Sequence, residues 1–318
     1  MAKTDRGLKR WSWGISVLLI VPGADLTGFQ LGAPSRTSDL SSVAAEVTAL
    51  AEEHFRLGLA YLESPASTEK AVEHLEHAVM LNQGNAEYHY RLAEAYARDF
   101  SYANILRKPF LATRVRAELE LAVRYHPASI EYREGLIQYY VMAPAILGGS
   151  YLRARAHANA MSAFDPYFSL LAHAYISAEE GDHEGAVALY SKAILMRPSA
   201  WQAYQRFGSY CLNLDETDKA IAQFEAYVRL RPDTSASYEH LASAFVRKRM
   251  YDRAIETYLK AYEADPALSA LLFRIAQLYE FKGLRAAAGE YYEKYLTLAP
   301  TGRLAEDARI KLEELRTP

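Results

Sequence analysis

Four arginines stand at the same place before an apolar–small pair: Arg56 before Leu57-Gly58, Arg91 before Leu92-Ala93, Arg206 before Phe207-Gly208 and Arg274 before Ile275-Ala276. A guanidinium grips a carboxylate through two parallel hydrogen bonds and stacks on aromatic faces, so a surface that repeats it suits an extended acidic peptide. The competing reading is that these arginines pair with Glu52, Glu87, Glu94, Glu134 and Glu280 and only solvate the surface. Other reactive residue types point less far. His74 and His77, beside Glu73 and Glu76, are three apart, whereas catalytic zinc helices space their histidines four apart and add a third ligand from elsewhere; a solvated helix face is expected instead. Cys211 is the single cysteine, so no internal disulfide forms, and a buried inert thiol is expected. Gly148-Gly149 lacks the following Gly-Lys-Ser/Thr of a phosphate loop and reads as a turn. No Ser/His/Asp set or carboxylate pair can be placed, so neither a catalytic residue nor a cofactor or metal site is expected.

The elements that position these residues follow from a fixed period. Pro198, Pro232, Pro266 and Pro300 fall 34 residues apart. At constant offsets before them come an alanine (Ala186, Ala220, Ala254, Ala288), four later an aromatic (Tyr190, Phe224, Tyr258, Tyr292), and three later Ala193, Tyr227, Ala261 or Tyr295. Offsets of three and four share one face of a helix, and a proline ends it. A second helix precedes each one, marked by Phe168, Leu171-Ala172 and Tyr175, then Tyr204, Phe207-Gly208 and Cys211, then Tyr238, Leu241-Ala242 and Phe245, then Leu272, Ile275-Ala276 and Tyr279. Small residues let two helices approach closely, and aromatics fill what remains. A repeat of this length signals an array in which each unit packs only on its neighbours.

Four copies in phase resemble the tetratricopeptide repeat family: a large residue, Leu-Gly, Tyr, Ala, Phe, Ala and Pro at these spacings. The resemblance covers about residues 43–316. It implies an all-α, right-handed α-solenoid of about seven helix-turn-helix repeats with a C-terminal capping helix. Residues 1–40 form a separate N-terminal segment; the solenoid occupies 41–318, with looser repeats over 43–164, strict ones over 165–302 and the cap over 303–316, whose Leu304, Ala308, Leu312 and Leu315 cover the last apolar face. The first repeat reads Phe55, Leu57-Gly58, Tyr61, Ala71, Leu75 and Ala78, with His54 in the large-residue slot. The second and third carry long connections, over 99–113 and 143–150, and the third interchanges its leucine and glycine slots as Gly135-Leu136. Corresponding loops in neighbouring repeats emerge on one edge of a solenoid. Trp201 is expected to cover the turn before its helix.

Counted along the family motif, the inner face of the first helices carries Phe55, Arg56 and Leu59; Tyr90, Arg91, Glu94 and Arg98; Arg133, Glu134, Ile137 and Tyr140; Ser169, Leu170 and His173; Gln205, Arg206 and Ser209; Glu239, His240, Ser243 and Arg247; Phe273, Arg274 and Gln277. The resemblance therefore implies a groove for a protein or extended peptide built on Arg56, Tyr90, Arg91, Arg98, Arg133, Arg206, Arg247 and Arg274. The lysine–asparagine clamp with which some members hold a C-terminal carboxylate is absent: its positions hold Phe55, Leu59, Tyr90, Glu94, Arg133 and Ile137.

With a net charge of −3 the chain lacks the basic balance of a general nucleic-acid binder. Lys3, Arg6, Lys9 and Arg10 precede an apolar run, Trp11–Val21, too short to span a bilayer as a helix and of the length of a signal-peptide core. Pro22 and Asp25 end it, and Thr27–Ser42 reads as linker. Secretion or placement in the periplasm or cell envelope is expected, with anchoring through residues 11–21, or a cytoplasmic chain, as alternatives. The expected function is a non-catalytic scaffold or adaptor for protein–protein interaction. A subunit of a larger envelope assembly, contacting it through the loops 99–113 and 143–150, is the second reading, and a helical-repeat RNA binder the third.

Overall fold

The computed structural model describes residues 37–64 and 67–316, which form helices joined by turns, with no strand among them. They divide into two compact units between Glu180 and Gly181. The first contains α1 (Thr37–Leu62), α2 (Thr68–Leu81), α3 (Ala86–Tyr102), α4 (Lys108–Tyr125), α5 (Ile130–Met142), α6 (Tyr151–Met161) and α7 (Pro166–Glu180). The second contains α8 (His183–Met196), α9 (Trp201–Asn213), α10 (Thr217–Leu230), α11 (Ser235–Arg247), α12 (Tyr251–Ala264), α13 (Ala270–Phe281), α14 (Arg285–Leu298) and α15 (Arg303–Arg316). Within each unit a helix packs chiefly on the one before and the one after it. Each unit is thus a stack of helix pairs, the α-solenoid architecture.

The turns have a common construction. Helices α8, α10, α12 and α14 each stop two residues before a proline, and the residue between (Arg197, Arg231, Asp265, Ala299) leaves helical geometry with φ between −134° and −145°. A residue preceding proline is driven out of the α region by the ring. The orphaned proline carbonyl then accepts a hydrogen bond from the next helix, from the Tyr204 hydroxyl at Pro198 and the Tyr238 hydroxyl at Pro232, each at 3.1 Å. In the first unit Arg133 Nε does the same for Pro127 at 2.6 Å. Several helices begin on a side-chain cap: Asn85 accepts from the Glu87 and Tyr88 amides, Ser129 from Tyr132, and Asp182 from Gly185.

All twelve period-34 positions of α8, α10, α12 and α14 are buried, none more than 4% exposed. Gly208 shows why a small residue recurs opposite them: a Cβ there would lie 2.6 Å from the Phe224 ring. Phe224 is fully buried and stacks on His240 of α11, ring centres 5.2 Å apart. Trp201 opens α9 and stacks on Tyr227 at 5.1 Å, with the Arg231 guanidinium on its ring, so it covers the expected turn. Cys211 is wholly buried, and burial pushes its thiol up to about 11. The surface pairs Lys248–Asp218 and Lys282–Asp252 also repeat at 34 residues. Exposed pairs of this kind contribute about 0–1 kcal/mol each, so burial holds the stack together.

Several expectations change. Residues 37–42, read as linker, are the first turns of α1. The connection placed over 99–113 shrinks to 103–107, because the extra residues lengthen α3 and α4 to 17 and 18 residues. In α15 Ala308 and Leu312 are buried as expected, but Leu304 is 40% exposed and Ala305 is buried in its stead. Phe55, Ile137, Tyr140, Ser169 and Phe273, counted onto an inner face, are core residues. Among the described residues no helix is long and apolar enough to cross a membrane; the signal or anchor expectation for residues 11–21 lies outside them.

Because each helix leans on its neighbours, damage stays local. Phe224→Ala is expected to cost about 3–5 kcal/mol. In hydrogen exchange, α9, α10 and α11 should lose protection while α2 and α3 keep theirs; uniform loss across both units would contradict a neighbour-by-neighbour fold.

Candidate peptide-docking site

The third pair of the first unit departs from the pattern, and a hollow opens there. Leu136 takes the core position and is wholly buried, which turns Gly135 toward α3 and α4, 3.2 Å (for an added Cβ) from the Tyr90 ring and 3.3 Å from Leu119. With no side chain at Gly135, a cavity of about 690 Å³ remains between α3, α4, α5 and α7. Its floor is apolar (Ala93, Ala97, Ala112, Val115 and Leu119), and aromatic rings from Tyr90, Phe100, Tyr139, Tyr151 and Tyr175 surround it. Gln138, Glu94 and Glu179 supply the polar groups. A shallower hollow of about 400 Å³ adjoins it, sharing Tyr90, Gly135 and Gln138 and adding Ile130, Glu131, Glu134 and Phe168. Both volumes fall in the range of sites that bury a ligand.

The segment 143–150 forms one wall, contributing Ala143, Pro144 and Leu147. It is a built loop. A 3₁₀ turn, Ala145–Leu147, follows Pro144; the Gly149 amide donates to the Pro144 carbonyl at 3.0 Å and the Ser150 amide to the Tyr140 carbonyl at 2.8 Å. The Tyr139 hydroxyl donates to the Leu147 carbonyl at 2.7 Å, and burial pushes that phenol up to about 12. Gly148 sits at φ 91°, in the left-handed region that favours glycine. A Cβ on Gly149 would lie 1.7 Å from the Ala143 carbonyl oxygen. The Ser150 side chain then caps α6 by accepting from the Arg153 amide.

Of the residues expected on a groove, Tyr90, Glu94 and Glu134 line these hollows, whereas none of the expected arginines does. Arg91 Nη1 donates to Glu94 at 2.9 Å and lies 3.8 Å from Glu87 and 3.9 Å from Glu131. Arg98 donates to the Leu62 carbonyl. Arg133, besides its bond to Pro127, stacks over Phe164. Arg56 belongs to the first unit and is exposed. Arg206, Arg247 and Arg274 belong to the second, where Arg247 pairs with Asp215 and Arg274 lies over the Tyr258 ring. Of the expected glutamate partners, Glu87 and Glu94 take up Arg91, while Glu52 accepts from Tyr88, and Glu280 from Tyr292 and Lys311. The aromatic surround and Gln138 were not read from the sequence, and the loop 143–150 was read as a long connection but not as the wall of a hollow. Their signal was the Gly135-Leu136 interchange together with the surplus residues after it.

His74 and His77 do not form a solvated face. With His54 they make a half-buried cluster between α1 and α2: His54 Nδ1 lies 3.0 Å from His74 Nδ1, and the His54 and His77 rings meet edge-on at 4.8 Å. Among the described residues no group of three ligands is placed to hold a metal ion. Burial, then the neighbouring His77 and His74, lower the His54 pKa below its ordinary value. His89 is the reverse: burial pulls it down, but the Glu118 carboxylate at 2.6 Å and the Gln83 carbonyl raise it on balance.

Comparison with known proteins agrees with the helix-pair architecture. Residues 171–235 and 206–269 match one tetratricopeptide repeat family model, and residues 269–301 match another. Residues 171–301 carry tetratricopeptide repeats. Arrays of this kind serve in general as scaffolds for protein interaction and are typically non-enzymatic. Among solved structures, the human IFIT1 dimer with PPP-AAAA shares 19% identity over 83% of this chain and 63% of its own, with a TM-score of 0.50. Yeast Tom70 shares 16% over 88% of this chain and 72% of its own, with a TM-score of 0.47. MamA 41-end from Desulfovibrio magneticus RS-1 shares 22% over 52% of this chain and 94% of its own, with a TM-score of 0.41. At such identities the likeness is one of fold. No curated protein matches the chain.

Two outcomes test this site. Gly149→Ala must open the loop, so the Ser150 amide should exchange faster while α1 and α2 are unchanged; full protection of Ser150 would mean the loop tolerates the methyl. His54 titrates with a definite sign. The unfolded chain takes up a proton near pH 6.5 and the folded chain does not, so its contribution is complete above that value and is lost as pH falls through it toward the lowered folded pKa. The urea midpoint of the first unit should therefore fall between about pH 7.5 and 5.5, and fall less in His54→Gln; equal slopes would remove His54 from the account.

Proposed function

We propose that this chain is a non-catalytic interaction scaffold that docks a partner segment in the hollow of the first unit. The observation that supports it most is the 690 Å³ cavity with an apolar floor, an aromatic surround and a single wall made by a hydrogen-bonded loop. Such a site offers area to bulky side chains, and its few polar groups orient them. Its outline excludes nothing about the second unit. The carboxylates of Glu94, Glu131, Glu134 and Glu179 disfavour a phosphodiester, which weighs against the RNA reading. The N-terminal segment supports a secretory or envelope location through its basic start and apolar run.

A second reading has its own observation. Ile105 and Leu106 on the 103–107 connection are each 72% exposed, and Ile146 on the 143–150 loop is 86% exposed. Exposed apolar side chains on connecting loops support attachment to a larger assembly through the loops.

One comparison separates the two. Ala97→Trp fills the cavity from its floor, and the triple change of Ile105, Leu106 and Ile146 to Ser removes the loop contacts. Affinity capture with each variant, its helicity checked by circular dichroism, should lose the partner with Ala97→Trp and keep it with the serine variant. The opposite pattern would move the site to the loops.

A further inference from the structure

The charge around the hollow is the opposite of what the arginine pattern leads one to expect. Glu87, Glu94 and Glu131 bracket one guanidinium, that of Arg91, so three carboxylates share a single cation. Glu131 and Glu134 line the shallower hollow and Glu94 and Glu179 the deeper one, and among the described residues no Lys, Arg or His lines either. The two hollows adjoin, sharing Tyr90, Gly135 and Gln138. Burial, then Glu94 and Glu131, push the Tyr90 phenol upward against the opposing charge of Arg91. A cleft with low-dielectric walls concentrates the field of one sign of charge.

We propose that the hollow takes a segment of a partner protein in which Lys or Arg flanks bulky apolar side chains. The inference rests on the docking reading above and specifies its ligand. The apolar anchor occupies the floor beside Ala97, and the aliphatic stem of the basic residue crosses Tyr90 to place its charge at Glu131 and Glu134. Lysine and arginine are built for this, with an apolar stem and a charged head. An acidic segment would meet the same carboxylates at a cost, and like-charge juxtaposition is how an interface rejects wrong partners.

The test selects binders from a random 12-residue peptide display library on the full chain, on Ala97→Trp, on the double variant Glu131→Lys with Glu134→Lys, and on Glu256→Lys as a control outside the site. Peptides that depend on Ala97 should be enriched in Lys and Arg beside Leu, Phe or Trp. Their affinity should fall about tenfold or more in the double variant, rise as salt is lowered, and be unchanged in Glu256→Lys. Ala97-dependent peptides that are neutral or acidic would overturn this inference and leave the docking site standing. An identical set of peptides on wild type and Ala97→Trp would overturn the docking site itself. Two further outcomes name a different occupant and also overturn the proposal. One is that a synthetic peptide of residues 1–21, itself basic and apolar, binds where no selected peptide does. The other is concentration-dependent self-association of the chain that Ala97→Trp abolishes.

Discussion

The contact on which this fold depends is a small residue on one helix meeting a large ring or branched side chain on the next. Gly208 against Phe224 and Gly58 against Leu75 leave no room for a Cβ, each 2.6 Å from the facing side chain. Ala93, Ala172, Ala242 and Ala276 hold the same place in their helices and are at most 3% exposed. Two helices that approach this closely bury a shared stripe, but neither buries enough alone, so the next helix must cover the remainder. The proline turns serve that requirement. They end each second helix at a fixed place and offer a carbonyl that the following helix closes, which sets where the next stripe begins.

Interest gathers where that contact is altered. In the third pair the small and large residues trade places, so Leu136 enters the core and Gly135 leaves a gap on the other side. The residues beyond the usual connection then fold back as the 143–150 loop, fastened by Tyr139 and Tyr140, and the gap acquires a wall instead of being filled. A packing rule broken in one repeat and compensated by dedicated hydrogen bonds is what a site needs, because the cavity loses contacts that only a ligand restores.

The fold was legible because its determinants are local and periodic. Alanine, aromatic and a third residue at fixed offsets before a proline specify two helices and a turn without reference to the rest of the chain, and the twelve helical positions of that pattern proved buried. The limits of α3 and α4 were not legible, since a surplus of residues reads equally as a longer loop or as longer helices. Phe100 and Leu111, both buried, decided for helix through contacts that no motif records. His54 shows the same limit: a histidine in a large-residue slot gave no sign that His74 and His77, a helix later, would meet it.

The candidate site was legible in its chemistry but not in its sign. Arginine at a repeated position counts charges along one helix, and the charge that a ligand meets is set by every element around the opening. Arg91 was correctly placed beside Glu87 and Glu94, its neighbours along α3. The third carboxylate, Glu131, arrives from α5, 40 residues further on, and it deepens the excess of negative charge that Glu87 and Glu94 already leave around Arg91. Pair interactions across a stack fall at separations near one repeat length, beyond the reach of any helical periodicity. The charge at this opening therefore follows from the carboxylates that the next repeat brings to it, and the arginine count of a single helix does not determine it.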